Sequence, residues 1–271
     1  MVSQDLLSKE MAQATFNQSK PRISVRGIKK RFGAVEALRG VDLDIYPGEC
    51  LGLVGDNAAG KSTFTKMLSG AYVPDEGEMK IDGREVRFET PNDAREHRIE
   101  MVYQDLSLCD TIDIPGNLFL GRELRKSPEF LGFLNKGEMR KSAQEMLDKL
   151  QIRIPNINSK VAMLSGGQRQ AIAIARAAAF NPDVLIMDEP TSALAVAEVN
   201  AVLDLINRLK ETGVSIILIT HRLQDLFRVC DRIAVMYEGT KVAERNIHET
   251  NLEDLVQLIV GGHAHANTKQ K

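Results

Sequence analysis

Gly55-Asp56-Asn57-Ala58-Ala59-Gly60-Lys61-Ser62 fits the pattern G-x-x-x-x-G-K-S, directly after an apolar run over 50–54 and ahead of a helical pattern. In a loop of this type, backbone amides of the turn and of the helix start point inward and hold α- and β-phosphate oxygens. Lys61 places a point charge toward the β- and γ-phosphates. The Ser62 hydroxyl suits a Mg²⁺ ligand, with Thr63 beside it among the nucleotide contacts. A dinucleotide fingerprint is excluded, because no G-x-G-x-x-G opens a helix here.

A second candidate group lies at the end of the apolar run Val184-Leu185-Ile186-Met187, where Asp188 and Glu189 follow one another. Burying Asp188 without a cation would be costly, so Mg²⁺, direct or through water, is its natural partner. Adjacent strand residues point oppositely, which leaves Glu189 to orient or deprotonate a water attacking the γ-phosphate. A third group, Leu164-Ser165-Gly166-Gly167-Gln168, opens another helix. Ser165 and Gln168 can cap that helix reciprocally, and the glycines let an anion approach the helix start. The chain thus has two anion-binding helix starts. The residues alone leave open whether both grip one nucleotide in one molecule.

The elements that must position these groups follow from the apolar patterns. Strands are expected at Ile23–Val25, along the alternation Val41, Leu43, Ile45, and at Cys50–Val54 after a turn over 46–49. Further strands are expected at Met79–Ile81, Val86–Phe88, Ile99–Tyr103, Val184–Met187 and Ser215–Ile219. Helices are expected at Ser62–Leu68, Ala171–Phe180 and along Val196, Val199, Leu203, Ile206 and Leu209. Between them, 106–163 reads as a mainly helical insert, with Asn135 and Glu138 as a cap and Met139, Ala143, Met146, Leu147 and Leu150 on one face. Continuous apolar runs at 184–187 and 216–219 are what a helix-covered, largely parallel sheet requires. The fold class is therefore α/β.

At 271 residues and 43% apolar, the chain can bury one large domain. Lysine and arginine total 35 against 37 acidic residues, so no overall positive field favours a nucleic-acid partner, and none is expected. Cys50, Cys109 and Cys230 have no metal-like spacing, and Cys50 and Cys230 read as buried thiols of a reducing compartment. The first residues lack an export-signal pattern, and the most apolar segment, 214–219, is far shorter than the roughly 18 residues that cross a bilayer. Residues 1–21 are expected as a flexible leader and 262–271 as a flexible tail, around a single domain over 22–261.

Across about 22–245 the chain resembles the nucleotide-binding subunits of ABC transporters. The likeness rests on the phosphate loop 55–62, Gln104 after Val102-Tyr103, the signature 164–168, the strand ending in Asp188-Glu189, and His221, all in the family's order. It implies a P-loop NTPase of ABC type, with a RecA-like, mostly parallel core, an antiparallel β lobe and a helical subdomain over about 106–163. It implies ATP and Mg²⁺ as cofactors and a head-to-tail pair of two copies. In that pair Ser165, Gly166, Gly167 and Gln168 of one copy cover the γ-phosphate held by the other.

By the same resemblance Phe32 stacks on adenine, Gln104 ligates Mg²⁺ and senses the attacking water, and Glu189, His221, Lys61 and Gln104 form the catalytic set. Two departures stand out. Ala58 replaces the commoner glycine and fits if its backbone angle is ordinary, so binding is expected to survive. Ala195 replaces the D-loop aspartate, which bears on coupling between the two sites. Ala195, the segment Asn117-Leu118-Phe119-Leu120-Gly121-Arg122-Glu123 and Arg222 after His221 resemble the monosaccharide importer branch in its short, single-domain form.

The resemblance further implies ATP hydrolysis powering sugar import through transmembrane permease subunits, with the chain peripheral at the cytoplasmic face of the membrane. The docking surface would be the cleft near Gln104 with 117–123 close by. An extracytoplasmic sugar-binding protein would act indirectly. Two alternatives stay open: a soluble ABC ATPase acting on nucleic acid or the ribosome, and a non-hydrolysing structural or regulatory subunit. Intact Lys61, Glu189 and His221 speak against the second.

Overall fold

The computed structural model describes residues 20–127 and 132–261. The expected tail over 262–271, and residues 1–19 of the leader expected over 1–21, lie outside the described residues.

Two sheets form the frame. The first is antiparallel, in the order β2-β1-β4-β5, from β1 (Ile23–Phe32), β2 (Val35–Ile45), β4 (Glu76–Ile81) and β5 (Arg84–Val86). The second has the order β10-β9-β3-β8-β7-β6, from β3 (Cys50–Gly55), β6 (Ile99–Val102), β7 (Val184–Asp188), β8 (Ser215–Ile219), β9 (Arg232–Tyr237) and β10 (Thr240–Asn246). Strands β9, β3, β8, β7 and β6 run parallel, and β10 is antiparallel to β9.

Among the described residues the α-helices are α1 (Lys61–Leu68), α2 (Pro91–Glu96), α3 (Ile114–Leu118), α4 (Lys136–Lys149), α5 (Gly166–Ala178), α6 (Val196–Glu211), α7 (Leu223–Val229) and α8 (Leu252–Val260).

The unbroken apolar runs of the parallel strands divide between two cores. Leu51, Leu53, Val184, Ile186, Ile217 and Ile219 face the antiparallel sheet and Phe64, Met67 and Leu68 of α1. Cys50, Val54, Leu185, Met187, Ile216 and Leu218 face α5, α6 and the insert. Successive strand residues point to opposite faces, so burial on both sides leaves no room for a polar position inside the run.

Strands β1, β2 and β4 are longer than their apolar pattern predicts. β1 continues to Phe32, with register shifts against β2 between Val25 and Ile28 and beyond. These bulges break the period of two, so Ile23, Val25 and Ile28 are all buried although their spacing changes. Its solvated residues pair across strands: Arg26 with Asp44, Lys29 with Glu76, Lys30 with Asp75 and Arg31 with Glu36. The strand expected at Val86–Phe88 instead occupies Arg84–Val86, and Phe88 lies buried outside it with its ring centroid 5.3 Å from that of His97.

Among the described residues the insert contains helices α3 and α4, and its apolar face shares one core with α5 and α6. Asn135 accepts from the amide of Glu138 at the start of α4. Asn117 is fully buried: its side-chain amide donates to Cys109 O and Asp113 O, and its Oδ1 accepts from the Cys109 amide at 2.7 Å. Arg122 pairs with Glu100 of β6 at 2.9 Å and lies over the Phe180 ring at 3.8 Å, fastening the insert to the sheet edge. Of the segment 117–123, Asn117, Leu118 and Phe119 are therefore internal, and Leu120 and Gly121 face solvent.

Candidate active site

The parallel strands end on one edge. Leu53 of β3 and Asp188 of β7 both lie opposite Ile219 of β8, and Val102 of β6 lies opposite Met187. The phosphate loop, Gln104, Asp188-Glu189 and His221 thus leave the sheet along its carboxyl edge, where ligands of open α/β sheets collect.

The loop from Gly55 to Gly60 is shaped by close backbone approaches. Gly55 has φ of 151°, and a Cβ there would lie 2.2 Å from Met236 O; Gly60 has φ of 97° and would meet Ala37 O at 2.7 Å. Only glycine fits either place. Asp56 O accepts from the Ala59 amide at 3.1 Å, and the Asp56 carboxylate accepts from the Asn57 amide at 2.7 Å. Ala59 is buried, while Asp56, Asn57 and Ala58 are exposed. Ala58 has φ of 64°. Its backbone is left-handed rather than ordinary, which overturns the premise on which its easy fit was expected. The loop closes nevertheless, with Ala58 on its exposed side.

Lys61 Nζ donates to Gly55 O and Asp56 O, both at 2.9 Å, across the mouth of the loop. Burial pulls its ammonium below the ordinary value, against the opposing charges of Glu189, Asp188 and Asp56. Burial likewise raises the Asp188 carboxyl, opposed by Lys66, Lys61 and a hydrogen bond with Ser62. Each charge is therefore incompletely compensated by its neighbours. Ser62 and Asp188 bring a hydroxyl and a carboxylate into contact, which is the hard oxygen chemistry that Mg²⁺ selects. Thr63 follows in the first turn of α1.

Glu189 does not continue the strand. β7 stops at Asp188 and Glu189 has φ of 54°, so its separation from Asp188 comes from a sharp turn rather than from strand alternation. Its amide donates to Ile219 O at 2.9 Å, and Ser192 donates to Glu189 O from its amide at 3.1 Å and from its hydroxyl at 2.9 Å. Glu189 Oε2 lies 2.7 Å from His221 Nδ1, with the glutamate side chain 14% exposed and the histidine 70% exposed. Gln104 is exposed two residues beyond β6. Phe32 is 43% exposed at the end of β1, edge-to-face with Tyr72 at 5.1 Å and with Lys30 Nζ 5.6 Å from its ring.

The signature forms its capping box as expected. The Ser165 amide donates to Gln168 Oε1 at 3.0 Å, and the Gln168 amide donates to Ser165 Oγ at 3.3 Å. Its other partners belong to α6. Glu198 accepts from the Gly167 amide at 3.1 Å and from the Ala195 amide at 3.2 Å. The Gly167 amide first, then the Ser165 hydroxyl and the Ala195 amide, hold the Glu198 carboxyl below its ordinary value. A Cβ on Gly167 would lie 2.8 Å from Glu198 Cβ, so this glycine makes room for that side chain. Ala195 sits at the start of α6 with no side-chain acceptor, which leaves its half of a capping box unmade.

The sequence reading did not single out Thr191, Asp225, Glu198 or Tyr72. Glu198 carries a signal three places into α6, where a capping glutamate belongs, and the alanine at 195 hides it. Thr191 and Asp225 carry none, because their pairing spans 34 residues.

A phosphate loop at a parallel sheet edge, with carboxylates ending a neighbouring strand, defines a P-loop nucleotide-binding domain. The family model described as ABC transporter matches residues 38–192, and the chain belongs to that family.

It is 45% identical over 237 residues to the xylose/arabinose import ATP-binding protein XylG of Sulfolobus acidocaldarius, covering 88% of this chain and 93% of that protein. It is 45% identical over 246 residues to the fructose import ATP-binding protein FrcA of Rhizobium meliloti, covering 89% and 94%. The ribose import ATP-binding protein RbsA of Bacillus subtilis is 38% identical over 240 residues, and this chain spans 48% of its length.

Among solved structures, a nucleotide-free ATP-binding cassette from an ABC transporter superposes with a TM-score of 0.75 at 25% identity, covering 89% of this chain and 96% of that one. A dimeric cassette in a post-hydrolysis state with ADP and Pi gives 0.69 at 27% identity, covering 83% and 98%.

Proposed function

We propose that two copies of this chain bind two Mg·ATP at a shared interface, and that hydrolysis there powers import of a monosaccharide through a partner membrane permease. The observation that carries the reading is the convergence of Lys61, Ser62, Asp188, Glu189 and His221 at one sheet edge. The names of the xylose/arabinose, fructose and ribose import relatives support the sugar. The dimeric cassettes support the pairing.

In this scheme the loop amides and Lys61 hold the β- and γ-phosphates. Ser62, Asp188 and Gln104 would hold Mg²⁺, which when bound neutralises charge developing on the phosphates. Glu189 accepts a hydrogen bond from the attacking water and aligns it on the γ-phosphorus. His221, oriented by Glu189, would contact the γ-phosphate and that water. Phe32 stacks on adenine, and the Ser165–Gln168 turn of the partner copy closes the site. Closure on ATP and reopening after hydrolysis form a two-state cycle biased by ligand. No helix among the described residues is long and apolar enough to cross a membrane. Membrane association at the cytoplasmic face therefore falls to the permease contact, near Gln104 and the exposed Leu120.

The test is Glu189→Gln. Steady ATP turnover is expected to vanish while ATP-driven dimerisation persists, read by size exclusion with and without ATP. Tight ATP binding by the unaltered chain with no turnover, alone or with membranes from its source, sinks the reading.

A further inference from the structure

Beneath the proposed hydrolytic pair lies a buried contact that joins the two turns carrying it. Thr191 is 1% exposed and Asp225 is 4% exposed. Thr191 Oγ1 donates to Asp225 Oδ2 at 2.7 Å. Arg222 Nε lies 3.4 Å from the same oxygen. Thr191 follows Glu189 by two residues, across Pro190, and Arg222 directly follows His221.

These contacts close a ring. From Glu189 the chain runs to Thr191, crosses by hydrogen bond to Asp225, and returns through Arg222 to His221. His221 Nδ1 then lies 2.7 Å from Glu189 Oε2. Two further bonds fix the corners. The Arg222 amide donates to Thr220 Oγ1 at 3.0 Å, and the Asp225 amide donates to Arg222 O at 2.9 Å.

The physical weight of the ring lies at its buried side. The His221 side chain is largely in solvent, so water competes there for its bond to Glu189. The Thr191–Asp225 bond is shielded from water and keeps more of its electrostatic strength. A carboxylate as buried as Asp225 must also have its partners in place, and Thr191 and Arg222, which partner it, lie on the two turns that need alignment. The left-handed turn at Glu189 is under strain and requires surrounding contacts to hold it.

We propose that Asp225 is a positioning residue for hydrolysis: through Thr191 and Arg222 it sets the spacing of the Glu189 carboxylate and the His221 ring. The proposal rests on the reading of Glu189 and His221 as the hydrolytic pair. It concerns the chemical step and leaves the nucleotide contacts of the phosphate loop alone.

The experiment compares kcat, KM for ATP, binding of a fluorescent ATP analogue and melting temperature in the purified full chain. The variants are Asp225→Ala, Asp225→Asn, Thr191→Val and Thr191→Ser. Asp225→Ala and Thr191→Val are expected to lower kcat by about 10- to 100-fold, the scale of a small misplacement of reacting groups. Analogue affinity and KM are expected to stay within about twofold, because misalignment affects the transition state and not ground-state binding.

Thr191→Ser keeps the hydroxyl and is expected to restore turnover to near that of the unaltered chain. The double variant Thr191→Val, Asp225→Ala is expected to be no slower than Asp225→Ala alone, since the second change already removes the bond that the first one breaks. If Asp225→Ala does not fold, the near-isosteric Thr191→Val and Asp225→Asn carry the test. Unaltered kcat in both of those variants, with Glu189→Gln inactive, overturns the role of Asp225 alone. A raised KM at unchanged kcat overturns it too. Turnover retained by Glu189→Gln overturns the hydrolytic pair and this proposal with it.

Discussion

Ala58 and Glu189 both hold left-handed backbone angles at the sheet edge, φ 64° and 54°. For a residue with a Cβ that region costs roughly 1–2 kcal/mol. At Glu189 the turn separates two adjacent carboxylates, so that Asp188 meets Ser62 while Glu189 meets His221. At Ala58 no comparable contact offsets the strain. Ala58→Gly should therefore relieve it, less the roughly 0.4–1 kcal/mol by which glycine favours the unfolded chain. A net gain of about 0.5–1 kcal/mol is expected, visible as a higher urea midpoint at unchanged slope. A lower midpoint would show that the loop does not bear this strain.

At the scale of elements, the two helices beside the signature begin differently. α5 has a complete reciprocal cap from Ser165 and Gln168, and α6 begins at Ala195 without one. Glu198 compensates by accepting from Ala195 N, and its carboxylate also reaches the Gly167 amide of the neighbouring helix. Glu198 thus ties the start of α6 to the start of α5 through one side chain. Ala195 has φ of −68° and ψ of 156°, the extended geometry of a capping position. Ala195→Ser should accept from a free amide of the first turn and add about 1 kcal/mol, measured as a rise in melting temperature. An unchanged or lower value would show that the amides of that turn are already satisfied.

Across the whole molecule, the two sheets are locked by one buried charge cluster. Arg232 of β9 donates to Glu49 at 2.8 and 3.1 Å, donates to Asp44 O of β2 at 2.6 Å, and pairs with Glu244 of β10. The Glu49 side chain is 0% exposed. Burial raises its carboxyl above the ordinary value, with Arg232 pulling the other way. Removing the arginine strands a carboxylate in the interior, and Arg232→Met should cost about 3–5 kcal/mol. The sign with pH follows from the raised value. The folded state takes up this proton at a higher pH than the unfolded chain, so stability falls as pH rises through that window. Loss of Arg232 strengthens the effect, so the melting deficit of the variant should be larger at about pH 7.5 than at about pH 5. An equal deficit at both would mean that Glu49 finds another counter-charge.

Local chemistry decided what the sequence could show by itself. Gly55, Gly60, Lys61 and Ser62 fall within eight residues directly ahead of a helix, so their pattern is legible although the backbone that crowds the two glycines belongs to Met236 and Ala37. The apolar runs at 184–187 and 216–219 report burial on two faces, and the Ser165–Gln168 cap closes within four residues. These needed no knowledge of distant contacts. Where the outcome depended on partners far along the chain, the sequence was silent. The length of β1 depends on bulges and on charges supplied by β2 and β4. The Ala58 and Glu189 angles depend on closure of the surrounding loops. Thr191 meets Asp225 only because β7 and β8 lie side by side and deliver both turns to one edge. A hydrogen bond between residues distant in sequence leaves no periodicity to read, and only packing of the sheet brings its two ends together.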